Sequence, residues 1–325
     1  MLNIRWALSL VAAMSLQPTL SAAQTKDPLA RPVAIVMPYA AGGTNDNEAR
    51  IYTQKVQEAT AQRFVFDYRP GAGTSIGLAY VAKAMPDGST LLMTNSSLTI
   101  HPYFYDSLPY DVQSSFAPIT ILSSRSTALI INAAALQSVR SIADLVAYAR
   151  SNPTALSCNT SGSGTIAHIV CAWLASEAKI NIVPVHYKGV AQGQVDLLAG
   201  RTQLQPGTWF TYLPMIRTGK LRAIAVLGEE RSKFLPEVRT MSEQGLNVEM
   251  PSWIGVLAPA GTPQSIINKV HGDFVTALRS PDVSSFLETA GNTPVGNTPE
   301  AFKARIVKEL AQWKKIIQEN GIKGE

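Results

Sequence analysis

Two short segments carry the residue types that could hold an anion. Tyr39-Ala40-Ala41-Gly42-Gly43-Thr44-Asn45-Asp46 and Thr160-Ser161-Gly162-Ser163-Gly164-Thr165 each mix glycines with hydroxyl or amide side chains. Both follow an apolar run of strand type and precede a helical pattern. Glycine lets the backbone approach a ligand closely. The first helical turn adds unpaired N–H groups and the positive end of the helix dipole. Together these make an anion site. Asn45 followed by Glu48 also fits a capping box, which is a purely structural use of the first loop. One such loop is weak evidence, but one in each half of the chain points to a ligand held between two lobes.

Other chemistries fit less well. Ser163 with His168 five residues on suggests a hydrolase. A serine nucleophile, however, needs a histidine aimed at it and oriented by a carboxylate, and a residue so close on one helix is poorly placed for that. Gly71, Gly73 and Gly77 follow a strand, but the last glycine is one position late for a dinucleotide fingerprint and no acidic residue ends a following strand at the expected interval. A tight turn before a packed helix explains them. His101, His168, His186 and His271 form no ligand spacing with one another or with the cysteines, so no metal and no cofactor is expected. The two cysteines, Cys158 and Cys171, are either a disulfide, as an oxidising compartment would favour, or two buried thiols. No catalytic residue is assigned.

The elements that position these loops alternate between strand and helix, which predicts an α/β fold with largely parallel sheets. Pro32–Pro38 and Ala155–Asn159 are the strands entering the two loops, with helices from Asn47 and Ile166 leaving them. Within Ala117–Asn132 two strand-like runs, PITIL and ALIIN, flank a polar SSRST link. The last third is helical over Pro263–Arg279, Pro281–Ala290 and Pro299–Asn320, each segment opening on proline, where the missing amide donor costs least.

The N-terminus bears on the compartment. A short basic stretch, the apolar run Trp6–Leu16, then Pro18 and Ser21-Ala22-Ala23 form the three-part pattern of a cleaved signal peptide over residues 1–23. The apolar run is shorter than the roughly 20 residues that cross a bilayer, so a soluble exported protein is expected. With 28 basic and 23 acidic residues the net charge is +5, and the basic residues are scattered. That gives no footprint for nucleic acid and mildly suits a small anion.

Nine segments in order resemble one family, the periplasmic solute-binding proteins of tripartite tricarboxylate transporters, also called Bug proteins. They are Tyr39–Arg50, Arg69–Gly77, Pro86–Leu92, Leu108–Ile119, Ser161–His168, His186–Gly189, Asp196–Gly200, Thr240–Gly245 and Trp253–Pro263. The resemblance spans essentially the whole mature chain. It implies a two-lobed Venus-flytrap fold of type II with crossing hinge strands, lobe 1 being residues 24–124 plus 247–325 and lobe 2 residues 125–246. It implies a monomer that captures a small carboxylate, aliphatic or aromatic, for integral-membrane transporter subunits. The same fold could instead present its ligand to a two-component sensor. Carried onto this chain, the ligand contacts are Tyr39, Gly43, Thr44, Asn45, Asp46 and Ser97 in lobe 1. In lobe 2 they are Ser161, Ser163, Gly164, Thr165, His168, Tyr187, Thr208 and Trp209. Trp209 either packs in the core or faces the cleft, where it would favour an aromatic acid.

Overall fold

The computed structural model describes residues 31–322, apart from Gly43, Asp106, Lys188, Gly189, Glu229, Lys233 and Pro251. The signal-like segment 1–23 lies outside the described residues. The chain enters through strand β1 (Val33–Met37), helix α1 (Thr44–Thr60), β2 (Phe64–Tyr68), α2 (Ser75–Ala82), β3 (Thr90–Asn95) and the short α3 (His101–Phe104). It then crosses from β4 (Phe116–Arg125) to β5 (Thr127–Asn132) with Ser126 alone between them. A second unit follows: α4 (Ile142–Ser151), β6 (Ser157–Thr160), α5 (Ile166–Ala178), β7 (Val183–His186), α6 (Val190–Leu198), β8 (Leu204–Thr208), α7 (Leu213–Arg217) and β9 (Leu221–Val226). The chain returns through β10 (Trp253–Pro259), α8 (Gln264–Leu278), α9 (Pro281–Thr289), β11 (Asn292–Pro294) and α10 (Pro299–Glu319).

The strands form two sheets, ordered β11-β4-β10-β3-β1-β2 and β7-β6-β8-β5-β9. The expectation of largely parallel sheets holds only in part. The pairs of β1 with β2 and β3, and of β6 with β7 and β8, are parallel. Every pair made by β4, β5 or β10 is antiparallel. These are the strands at the crossings, and the ones that enter or leave a crossing run against their neighbours. β1 reads as an unbroken apolar run because it is a central parallel strand covered on both faces.

The Ser-Ser-Arg stretch expected to be a link is instead the end of β4. Buried polar side chains are tolerated there because they are paired: Ser123 Oγ and Arg125 Nε donate to Glu48 of α1 at 2.7 and 3.0 Å. The two crossings are stitched together. Arg125 N donates to Ser252 O at 2.7 Å, Leu227 N to Thr127 O at 2.9 Å, and Met250 N to Leu227 O at 2.7 Å.

The apolar core of the second sheet is not built from the second unit alone. Ile100 and Phe104 of the first unit, with Trp313, Ile316 and Ile317 of α10, join Leu129, Ile131, Trp173 and Leu174 in one buried cluster. Trp313 meets Trp173 of α5 edge to face, with ring centroids 6.2 Å apart. Cys158 of β6 and Cys171 of α5 are joined by a disulfide with a Cα–Cα separation of 6.2 Å. It ties together the strand and the helix on either side of the second glycine loop.

Candidate functional site

The first loop leaves β1 and becomes the first turn of α1. Its shape is set by Asp46, whose side chain turns back into the loop rather than out of it. Asp46 accepts from Gly42 N at 2.8 Å, from Tyr68 Oη at 2.6 Å and from Arg50 Nε at 3.1 Å, and is only 3% exposed. Burial alone would raise its pKa, but the bonds from Tyr68, Gly42 and Arg50 outweigh that and hold the carboxyl below its ordinary range. The charge of Asp46 is thus compensated within the loop. The capping box does not form: Asn45 Oδ1 is buried with no hydrogen-bond partner among the described residues, while Glu48 faces away. Glu48 accepts from Arg125, Ser123, Tyr52 Oη at 3.1 Å and Asn292 Nδ2 at 2.9 Å, linking α1 to the hinge end of β4 and to β11. Gly43 lies outside the described residues, and of Thr44 only its place at the start of α1 is described.

Beside this loop, Tyr39 Oη accepts from Asn95 N at 3.1 Å and lies 3.3 Å from Thr94 Oγ1, tying the ends of β1 and β3 together. Desolvation pushes its hydroxyl up to about 12, so the phenol is neutral. Ser97 sits in the tight turn after β3, where its N–H donates to Asn95 Oδ1 at 3.0 Å.

The second loop leaves β6 and opens α5. Thr165 Oγ1 donates to Gly162 O at 2.7 Å, and Thr160 Oγ1 lies 2.5 Å from His186 Nδ1, so both hydroxyls are spent on holding the loop. Ser163 Oγ is buried with no partner among the described residues. Ser161 is half-buried. Gly164 N donates to His168 Nδ1 at 3.3 Å, which makes His168 a support of the loop backbone. Its ring meets His186 and Phe104 edge-on at 4.6 and 5.6 Å. Ser163 and His168 therefore share no hydrogen bond of the kind a nucleophile and base require.

Three predicted residues are engaged elsewhere. Tyr187 Oη donates to Asp196 Oδ2 at 2.7 Å, and burial, then that carboxylate, push its hydroxyl up to about 12. Thr208 is the last residue of β8, paired with Thr127 of β5 at the crossing. Trp209 is 1% exposed, packed with Tyr212, Leu235 and Val238 and tilted against Phe234 at 5.4 Å. Its ring edge also closes on Gly291 of the first unit, where a Cβ would stand 2.6 Å from Cζ2. The indole thus has no open face for stacking on a ligand. Two cavities, of about 400 Å³ around Arg222 and about 450 Å³ around Arg125, are lined by neither glycine loop. The site rests on loop geometry, not on cavity size.

Known proteins share this fold. The family model described as the tripartite tricarboxylate transporter family receptor, TctC, matches residues 48–322. The chain belongs to this family. Among curated relatives, the UPF0065 protein in the tcbD-tcbE intergenic region of Pseudomonas sp. strain P51 is 34% identical over 291 residues, covering 89% of this chain and 86% of that one. Among solved structures, the periplasmic binding protein BugD is similar with a TM-score of 0.81 and 28% identity over 91% of this chain and 99% of that one. The Rhodopseudomonas palustris protein Rpa4515, solved with adipate, is similar with a TM-score of 0.82 and 30% identity over the same shares. The fold is the two-lobed α/β fold of the periplasmic solute-binding proteins, with hinge strands crossing between the lobes. Among the described residues no helix is long and apolar enough to cross a membrane.

Proposed function

We propose that the chain is a periplasmic receptor that captures a small carboxylate between its lobes and delivers it to the membrane subunits of a tripartite tricarboxylate-type transporter. Residues 1–23 serve as its export signal. Lobe 1 is residues 24–124 with 247–325, and lobe 2 is residues 125–246. The observation that carries the reading is the symmetry of the two glycine loops. Each runs from a strand into a helix N-terminus in its own lobe, and each holds one buried oxygen, Asn45 Oδ1 or Ser163 Oγ, without a partner among the described residues. Buried polar atoms are nearly always hydrogen-bonded. A ligand that brings both donors and acceptors, or carries water with it, satisfies both ends at once. The adipate found with Rpa4515 makes a linear dicarboxylate the first class to try.

Capture rather than turnover is favoured because Ser163 has no base bonded to it. Closure draws its energy from the ligand's greater affinity for the closed lobes. The test is a thermal-shift and calorimetric screen of the mature protein, after unfolding and refolding, against aliphatic and aromatic carboxylates. Saturable binding of one carboxylate class is expected. A flat response across the whole set would refute the reading.

A further inference from the structure

Resting on that reading of the site, we propose that Tyr105 is the end wall of the cleft and sets the length of acid the protein accepts, its hydroxyl being the donor offered to the far end of the ligand. Tyr105 comes from lobe 1, immediately after α3 and in the same strand exit as Ser97. A Cβ at Gly73 of lobe 1 would stand 2.0 Å from Tyr105 Oη, and a Cβ at Gly164 of the second loop would stand 3.1 Å from it. The hydroxyl therefore lies between a glycine of each lobe, against the loop that holds Ser163. Glycine is required at both places by the phenol's approach and by positive φ, 58° at Gly73 and 73° at Gly164. Phe104, next in the chain, reaches further, and a Cβ at Gly164 would stand 2.6 Å from its Cδ1.

The phenol is held from behind. His101 meets its ring edge-on at 5.4 Å and Phe104 does so at 5.6 Å. His101, itself wholly buried, lies 2.7 Å from Tyr110 Oη through Nδ1 and 3.3 Å from Thr74 Oγ1 through Nε2. Gly71, Ala72, Gly73 and Thr74 all have positive φ, and the β-branched Thr74, at 89°, is the most costly of them. Such strain persists only where the surroundings enforce it and clusters at ligand clamps. Here the strained turn is the pad on which Tyr105 rests. Tyr39, Tyr68 and Tyr187 all have their hydroxyls committed to neighbours. The Tyr105 hydroxyl instead stands between Gly73 and Gly164, where it can donate to a ligand.

The experiment is calorimetric titration of the mature protein, Tyr105→Phe, Tyr105→Ala and Gly73→Ala with linear dicarboxylates from succinate to suberate and the matching monocarboxylates. Wild type is expected to prefer one length. Tyr105→Phe, which keeps the ring and the fold, should lose about tenfold for the preferred diacid and little for the monoacid of that length, as for one hydrogen bond to a charged group. Tyr105→Ala should move the preferred length upward, and Gly73→Ala, which pushes the phenol into the cleft, should move it downward. An unchanged order of affinities in Tyr105→Ala together with unchanged diacid affinity in Tyr105→Phe overturns the inference while leaving carboxylate capture intact. If wild type binds none of these linear acids, this inference falls, and carboxylate capture is then decided by the wider screen of aliphatic and aromatic acids.

Discussion

Acid should destabilise this protein between about pH 6.5 and pH 4 through one residue, His101. Its imidazole is wholly buried, and desolvation lowers its pKa from 6.5 to about 4. In the unfolded chain the ring protonates as pH falls through 6.5, whereas in the folded protein it stays neutral until about pH 4. The unfolded state binds the extra proton across that window, so stability is fully present above pH 6.5 and declines as pH falls. A shift of about 2.5 units at about 1.4 kcal/mol each gives a loss of roughly 3 kcal/mol by pH 4. The buried Glu309 works the other way, because burial raises its pKa despite the bonds from Arg305, Trp253 and Thr99, and it gains relative stability as it protonates. The useful quantity is therefore the difference between wild type and His101→Gln. Urea unfolding at half-unit steps from pH 7.5 to 4 measures it. The variant should be less stable at pH 7.5 by about 1–2 kcal/mol, from the contacts to Tyr110 and Thr74. The gap should then shrink and reverse by pH 4. A gap constant across the range would refute the burial argument.

Three further outcomes follow from the same contacts. Asn45→Ala and Ser163→Ala, each removing a buried oxygen with no partner among the described residues, should leave the melting temperature unchanged within about 1 °C while weakening carboxylate binding several-fold, or about 1 kcal/mol; calorimetry and differential scanning read the two effects separately. Arg125→Met should cost about 3–5 kcal/mol in chemical denaturation, because it strands Glu48, 1% exposed, without its cation, and the double variant with Glu48→Gln should recover part of the loss. Replacing Cys158 and Cys171 by alanine opens a disulfide that spans 13 positions, which should cost about 3 kcal/mol and, for a chain of this length, lower the melting temperature by roughly 5 °C. Equal melting of the oxidised and reduced wild type would contradict that value.

Much of this was legible in the sequence because it depends on local pattern. The strand–glycine–helix units stand where Gly42 and Gly162 mark them, and α8, α9 and α10 each open at or beside the proline that marks their start. The apolar runs PITIL and ALIIN read as strands, and they lie within β4 and β5. What local pattern could not give was the use of polar residues at long range. Ser123 and Arg125 look like loop residues until Glu48, 75 and 77 positions away, supplies their partner. Glu48 itself matched a capping motif, and the buried ion pair prevailed over the cap. Tyr187 and Trp209 were the right types for a ligand site, but Asp196 and the turn at Gly291 claim them. Tyr105 gave no signal because its role depends on two glycines more than 30 and more than 50 positions away.

The contacts across the lobes also limit how capture can work. The lobes are joined by two hydrogen-bonded crossings, but α10 is a third bond between them. Its Trp313, Ile316 and Ile317 are buried in the core of the second sheet, and Phe104 enters the same core from α3. Exposing side chains of this size to water costs about 1.5–3 kcal/mol each, more in sum than a ligand of modest affinity returns. A wide parting of the lobes on this side would spend stability that closure could not recover. Motion that keeps Trp313 against Trp173 while opening the loops costs far less, so α10 and the crossings together form the pivot. The packing therefore favours an opening that uncovers the glycine loops while the apolar joint stays dry.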